Sequence, residues 1–470
     1  MDHPMYRSPG GVPRCRHPHL LVLTALAAAL ASCVVTRPVP EAPAREPALP
    51  WESMSDLIAL GEPGRALEEY ETAVAAQPDS PTTRLLHARL LMLAGRLDEA
   101  RDELGVLAAE RPGDAEVLFN LSLVEGLAGR TAERRAALER TIAADPGHAG
   151  AHAALGDLAL EAGDEEAAAA SYDRALVAEP GNLVALMGKG EIAFRGKRYE
   201  ESAGFLSRAV EADPSWPFAY VDRARARRSL GDMTGALEDL TRAIGLDPGY
   251  PWTYVDRGRV EAQAVKSEEA IADFTAAIRL DPSLFAAYAP RAELLYRADR
   301  RAEAIADFTR ALELRPDYWY AHAPLGVLLY GEGSWARAHD ELAAASETDP
   351  EEHAWALLAA LALRRGGDVR SANAELTALL SRLDRQSWYG EVARCLLEPA
   401  SDFALTSRIE RETNWALRAR MLYYLAEASA LAGRPAAAQT FLLAAKDAGA
   451  PEDPETRLAR WELAKLGVAP

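Results

Sequence analysis

The sequence predicts an all-α fold: a solenoid of about eleven helix hairpins, closed by one C-terminal capping helix. Three ladders of residues predict it. Pro78, Pro112, Pro146, Pro180, Pro214, Pro248, Pro282, Pro316 and Pro350 each stand 34 residues after the last. Gly61, Gly95, Gly129, Gly163, Gly231, Gly333 and Gly367 keep the same step, with Lys197, Val265 and Asp299 on the missing rungs. Ala66, Ala100, Ala168, Ala236, Ala270, Ala304, Ala338 and Ala372 make the third. Proline lacks an N–H and crowds the preceding turn, so it ends a helix. Glycine after an apolar run suits the left-handed residue that closes one. One of each per period makes two helices joined by a tight turn, a unit that buries its apolar flank only against the next copy.

The period is plainest around Trp252–Pro316, where Ala270–Pro282 returns as Ala304–Pro316. Small residues recur where helix axes cross closely, such as Gly258, Ala270 and Ala277, and large ones such as Tyr254 and Phe274 fill the space between. The pattern resembles the tetratricopeptide repeat (TPR). Unit 251–284 matches with Tyr254, Gly258, Ala270, Phe274, Ala277 and Pro282, and unit 149–182 with His152, Gly156, Ala168, Tyr172, Ala175 and Pro180. Ten units run in phase over 47–386, and an eleventh, 419–452, is out of phase. Unit 115–148 departs most, with Ser122 and Arg134 where small residues are expected. The resemblance implies a right-handed superhelix whose concave face is built from the first helix of each unit.

Taken in order, residues 1–32 read as an export signal. Arg7, Arg14 and Arg16 precede the apolar run Leu20–Leu30, which is too short to span a bilayer. Leu30-Ala31-Ser32-Cys33 resembles a bacterial lipobox, which implies an acylated Cys33 at the start of the mature chain. Multiple acyl chains anchor firmly where one is marginal. Val34, rather than Asp, points to the outer membrane by the enterobacterial sorting pattern. Residues 33–50 carry Pro38, Pro40, Pro43, Pro47 and Pro50, a semi-stiff tether. After the ten units, 387–418 is an irregular helical insert with a loop at Glu398–Asp402. Residues 419–470 supply a final hairpin around Gly433 and a cap helix, Pro454–Leu466, expected to turn a polar face outward.

Composition narrows function. The chain carries a formal charge of −19; loss of residues 1–32 removes Asp2 and three arginines, leaving about −21. A protein that tracks a nucleic-acid backbone needs the opposite sign. No disulfide framework is available, and Cys395 among Val392, Leu396 and Leu397 reads as a core thiol. No phosphate-cradling loop, nucleophile elbow or Cys-x-x-Cys is present. His148 and His152 have metal-ligand spacing, but His152 holds a packing place and His148 follows a turn. The expectation is a non-enzyme without cofactor or metal.

Two constellations remain. Arg223, Arg257 and Arg291 take the seventh place of successive units, and Asp239, Asp273 and Asp307 follow each by 16 residues. This predicts an Arg–Asp rung between the two helices of each hairpin. The concave places implied by the resemblance gather aromatics and arginines: Phe218, Arg225, Trp252, Arg259, Tyr296, Tyr320 and Tyr330. Such residues make interface hot spots. Lys and Asn are absent from the places that clamp a C-terminal carboxylate in co-chaperones, so chaperone-tail capture is excluded. The expected function is a membrane-anchored scaffold of the bacterial cell envelope, facing the periplasm, that holds a partner protein's extended peptide or helix. The alternative is an accessory subunit that binds a small apolar ligand for a transporter.

Overall fold

The structure, a computed structural model, describes residues 51–74, 80–384, 387–398 and 402–468. The export signal, Cys33, the tether, Pro78 and Pro399 lie outside the described residues. Among those described there are twenty-five α-helices, one short 3-10 turn and no strand. The chain divides between Pro248 and Gly249 into two compact units.

The first unit is six consecutive hairpins: α1 (Trp51–Ala59) with α2 (Pro63–Val74), α3 (Pro81–Leu93) with α4 (Leu97–Glu110), α5 (Ala115–Leu127) with α6 (Thr131–Ala144), α7 (Ala149–Glu161) with α8 (Glu165–Ala178), α9 (Leu183–Arg195) with α10 (Tyr199–Ala212), and α11 (Pro217–Ser229) with α12 (Met233–Leu246). The second unit opens with four more: α13 (Pro251–Gln263) with α14 (Ser267–Leu280), α15 (Phe285–Arg297) with α16 (Arg301–Leu314), α17 (His322–Glu332) with α18 (Trp335–Thr348), and α19 (His353–Arg365) with α20 (Val369–Arg382). Two shorter helices follow, α21 (Trp388–Leu397) and α22 (Phe403–Arg411). The chain then enters the hairpin α23 (Trp415–Leu431) with α24 (Pro435–Ala448), and α25 (Pro454–Lys465).

The turns explain the ladders. After α3, Gly95 sits at φ 78 and Arg96 N–H closes back onto Leu91 O at 2.9 Å. This is the glycine-closed helix end, which satisfies carbonyls the helix leaves open. Lys197, Val265 and Asp299 take the same left-handed conformation, at φ 58, 60 and 57. The turn is therefore imposed by the repeat even where a side chain must bear its cost. Between hairpins, Asp145, Asp213 and Asp281 each accept the backbone N–H two residues on, at 2.9 Å, fixing the bend beside each proline. The fourth place then ties the next helix to that bend. Tyr220 Oη donates to Pro214 O and Tyr288 Oη to Pro282 O, both at 3.2 Å, and His152 Nε2 reaches Pro146 O at 2.9 Å.

Packing follows the small–large alternation. The fully buried Tyr172 ring of α8 wedges between α7 and α9, where a methyl on Gly156 or Gly188 would overlap it. Truncating such a ring leaves a cavity costing about 3–5 kcal/mol. Unit 115–148 keeps its fold despite Ser122 and Arg134. Ser122 is buried and donates to Phe119 O at 2.6 Å, and Arg134 lays its stem along the bare face of Gly126.

Candidate functional site

The Arg–Asp rungs are bidentate. Arg223 Nε and Nη2 donate to Asp239 at 2.9 and 2.6 Å, and Arg257 to Asp273 at 2.6 and 2.7 Å. Arg291 does the same to Asp307, at 2.7 Å twice. All three carboxylates are buried. The two parallel N–H···O bonds match the planar fork of guanidinium, which ammonium would not.

Sequence reasoning missed the second half of the device. The seventh-place side chain also reaches back 16 residues, to the preceding hairpin. Arg223 Nη1 donates to Ser207 Oγ at 3.4 Å, and Arg291 Nη1 to Thr275 Oγ1 at 2.8 Å. The same rule places two residues that the Arg–Asp pattern omitted. Lys189 reaches back to Asp173 at 2.7 Å, and His87 stands between Glu103 at 2.8 Å and Glu71 at 3.4 Å. The hydrogen bond that protonated His87 donates to Glu103, with further help from Glu71, raises the His87 pKa above 6.5. Glu261, one turn after Arg257, faces Asp273 instead of assisting it. Burial, followed by the Asp273 charge, pushes its carboxyl up to about 7.

The residues expected to line an open face divide into two groups. Phe218, Tyr296 and Tyr330 are buried, with 6%, 9% and 0% exposure, and this corrects their expected role as partner contacts. Phe218 packs edge-on against Trp216 at 5.3 Å. In the second unit, the C-terminal helices cover the other two. Tyr330 Oη donates to Glu427 of α23 at 3.4 Å, and Arg365 of α19 forks onto that carboxylate at 3.0 and 2.7 Å. The Arg457 guanidinium of α25 lies 4.1 Å from the Tyr296 ring centre and donates to Tyr296 O at 2.7 Å. Burial pushes both phenols above their ordinary range, Tyr296 to about 12.

The cap helix is covered along most of its length, with its last turn, Ala464 and Lys465, exposed. From Asp453 to Leu463 no residue is exposed, and Glu455, Thr456, Leu458, Ala459, Trp461 and Leu463 are buried. Trp461 Nε1 donates to Asp299 Oδ1 at 2.8 Å, and Arg301 lies 5.0 Å over its ring.

The other expected contacts stay partly open. Arg225 pairs with Asp222 at 3.1 Å and Arg259 with Asp256 at 3.6 Å. Trp252 is half-buried against the core. Tyr320 stacks on Trp319 at 3.6 Å, and Trp319 is 43% exposed. Tyr318 meets Phe285 edge-on at 4.9 Å, and Arg315 lies 4.8 Å over Phe285. Phe285, Arg315 and Tyr318–Tyr320 thus form one aromatic–cationic surface in the second unit.

Cys395 and His148 take structural places. Cys395 is buried, and burial pushes its thiol up to about 11, away from the thiolate form that reacts. His148 caps α7, accepting from Ala151 N–H at 3.1 Å, and its ring lies tilted against Phe119 with centres 4.6 Å apart. No group of three potential ligands among the described residues could hold a metal ion. No described helix is long and apolar enough to cross a membrane.

Comparison with known proteins agrees with the repeat. Two tetratricopeptide-repeat profiles match, one at 57–119 and 295–361, the other at 119–182, 154–217, 221–285 and 255–319. No curated protein matches the chain. Among solved structures, YrrB, described as a TPR protein with an unusual peptide-binding site, is 21% identical with a TM-score of 0.35. That alignment covers 39% of this chain and 95% of YrrB. Pseudomonas aeruginosa PilF is 19% identical with a TM-score of 0.40, covering 46% and 94%. A TPR protein from Parabacteroides merdae is 19% identical with a TM-score of 0.37, covering 49% and 91%. The matched profiles span well over half of the sequence and fall on the helix hairpins described above: the chain belongs to the tetratricopeptide repeat family.

Proposed function

We infer that this chain, with the repeats of this family, is a protein-binding scaffold in the general sense. We propose that it is a lipid-anchored scaffold of the bacterial cell envelope, acylated at Cys33, facing the periplasm from the outer membrane. It holds an extended peptide or helix of another envelope protein against the first helices of its hairpins. The observation that carries the binding half is the aromatic–cationic surface of Phe285, Arg315 and Tyr318–Tyr320, with Trp319 43% exposed. Stacked aromatics flanked by arginine, partly covered but with Trp319 exposed, have the composition of an interface hot spot. Arg225, Trp252 and Arg259 are the further contacts proposed.

The test is crosslinking and capture in native membranes with Trp319→Ala plus Tyr320→Ala in the full chain. Loss of a partner captured by wild type is expected; an unchanged partner set sinks the placement. The anchor is tested separately, with Cys33→Ala and a clickable fatty acid. Wild type takes label and pellets with membranes, whereas the variant is released unlabelled. An unlabelled wild type sinks the anchor. The transporter alternative gains no support, because Arg457 already covers the Tyr296 ring that would line an apolar ligand site.

A further inference from the structure

We propose that the second unit carries a receptor site for a helix bearing tryptophan four residues after arginine, and that α25 occupies it in cis. A partner helix of the same chemistry would take the site by displacing α25.

The receptor side breaks two local rules, and both breaks serve one indole. Asp299 stands on the left-handed rung where most repeats place glycine, at φ 57. Glycine would relax that turn but would offer no acceptor to Trp461 Nε1. Gly331 lies inside α17, where glycine weakens a helix, yet a methyl there would overlap the Trp461 ring. Arg301 adds a cation 5.0 Å over the indole ring, and Tyr296 offers its ring and its carbonyl to Arg457. Acceptor, gap and cation surface together define a pocket with a shape and a hydrogen-bond code, not a general apolar seam.

The occupant is incompletely satisfied. Asp453 Oδ2, Thr456 Oγ1 and Arg457 Nε, all at the start of α25, are buried without hydrogen-bond partners. Unmade bonds at buried polar atoms are costly, so α25 docks with less than its full complement. Its advantage is the tether, which gives it an effective concentration of order mM. A free helix that fills the same seat without stranding such groups of its own competes on contacts alone.

This inference depends on the scaffold reading only for the existence of a partner. Its test uses the chain's own segment and stands whether or not Trp319 and Tyr320 bind anything. The probe is a fluorescein-labelled peptide of residues 450–468, followed by anisotropy against full-length chains. Trp461→Ala is expected to bind the probe at least tenfold more tightly than wild type, because its own helix competes poorly. Adding Gly331→Leu to that variant fills the indole pocket and removes the gain. Equal weak binding to wild type and Trp461→Ala overturns the proposal, as does a gain that survives Gly331→Leu. Should Trp461→Ala lose its helical signal, hydrogen exchange on wild type decides. Amides of 454–465 exchanging at least tenfold faster than those of 322–332 support a displaceable helix. Equal rates overturn it.

Discussion

Removing the guanidinium of Arg291 tests whether the buried rungs hold the repeats together. Asp307 is only 5% exposed, and its two oxygens each accept from Arg291 at 2.7 Å. Arg291→Ala leaves that carboxylate buried without its countercharge, a loss of about 3–5 kcal/mol. It also breaks the 2.8 Å bond to Thr275 that ties the hairpin to its predecessor. Array unfolding need not be two-state, so a global midpoint is the wrong readout. Hydrogen exchange of 285–314 reports the local opening. At about 1.4 kcal/mol per decade, exchange there should accelerate roughly 140- to 4,000-fold. Arg291→Leu with Asp307→Leu should recover most of the protection, since an apolar pair of similar volume does not strand a charge. An acceleration below tenfold for Arg291→Ala refutes the reasoning. So does a double variant whose loss is the sum of the two single losses, because a true rung must couple in a double-mutant cycle.

Glu261→Gln should stabilise the second unit at pH 8 by about 1 kcal/mol, since solvent still screens this partly exposed group. With its folded pKa raised to about 7, Glu261 contributes stability that is present below about 4.5 and lost as pH rises through 7. Denaturation curves of wild type and Glu261→Gln should therefore diverge between pH 5 and 8; parallel curves exclude the Glu261–Asp273 repulsion. His87, with its pKa raised above 6.5, stabilises the first two hairpins at low pH and ceases to as pH rises through that value. His87→Arg, the residue used at this place in three other units, should flatten the pH dependence of exchange over 63–93; an unchanged profile rejects the assignment. Val265→Gly should stabilise by about 1 kcal/mol, the relief of a β-branched residue at φ 60 less the entropy glycine gains when unfolded. Val265 is 85% exposed, so no packing is lost, and a lower thermal midpoint would contradict the strain reading.

The hairpins were legible because their signals are local. A proline, a glycine and an alanine at fixed spacing set turns and crossings within one repeat, and Lys197, Val265 and Asp299 show the turn outlasting its glycine. The rungs were half legible. Arg and Asp recur together, but serine, threonine and a preceding carboxylate as back-partners share no residue type to search for. The covering of Tyr296 and Tyr330 was not legible at all. Register assigns a side chain to a face, but it does not say what sits opposite when the covering groups are 97 to 161 residues away. Only Gly331 inside a helix and Asp299 on a glycine rung hinted at it, and each reads as ordinary variation until Trp461 is placed.

The Arg457–Tyr296 bond spans 161 positions, whereas the Arg291–Asp307 rung spans 16. During synthesis, most of the array can therefore settle as it leaves the ribosome, each hairpin waiting only for its neighbour. The second unit alone must wait for its last helix before Asp299 and Gly331 are covered. A premature stop ahead of Pro454 would thus be felt first far upstream, as a newly accessible aromatic surface around Tyr296 offered to chaperones and proteases.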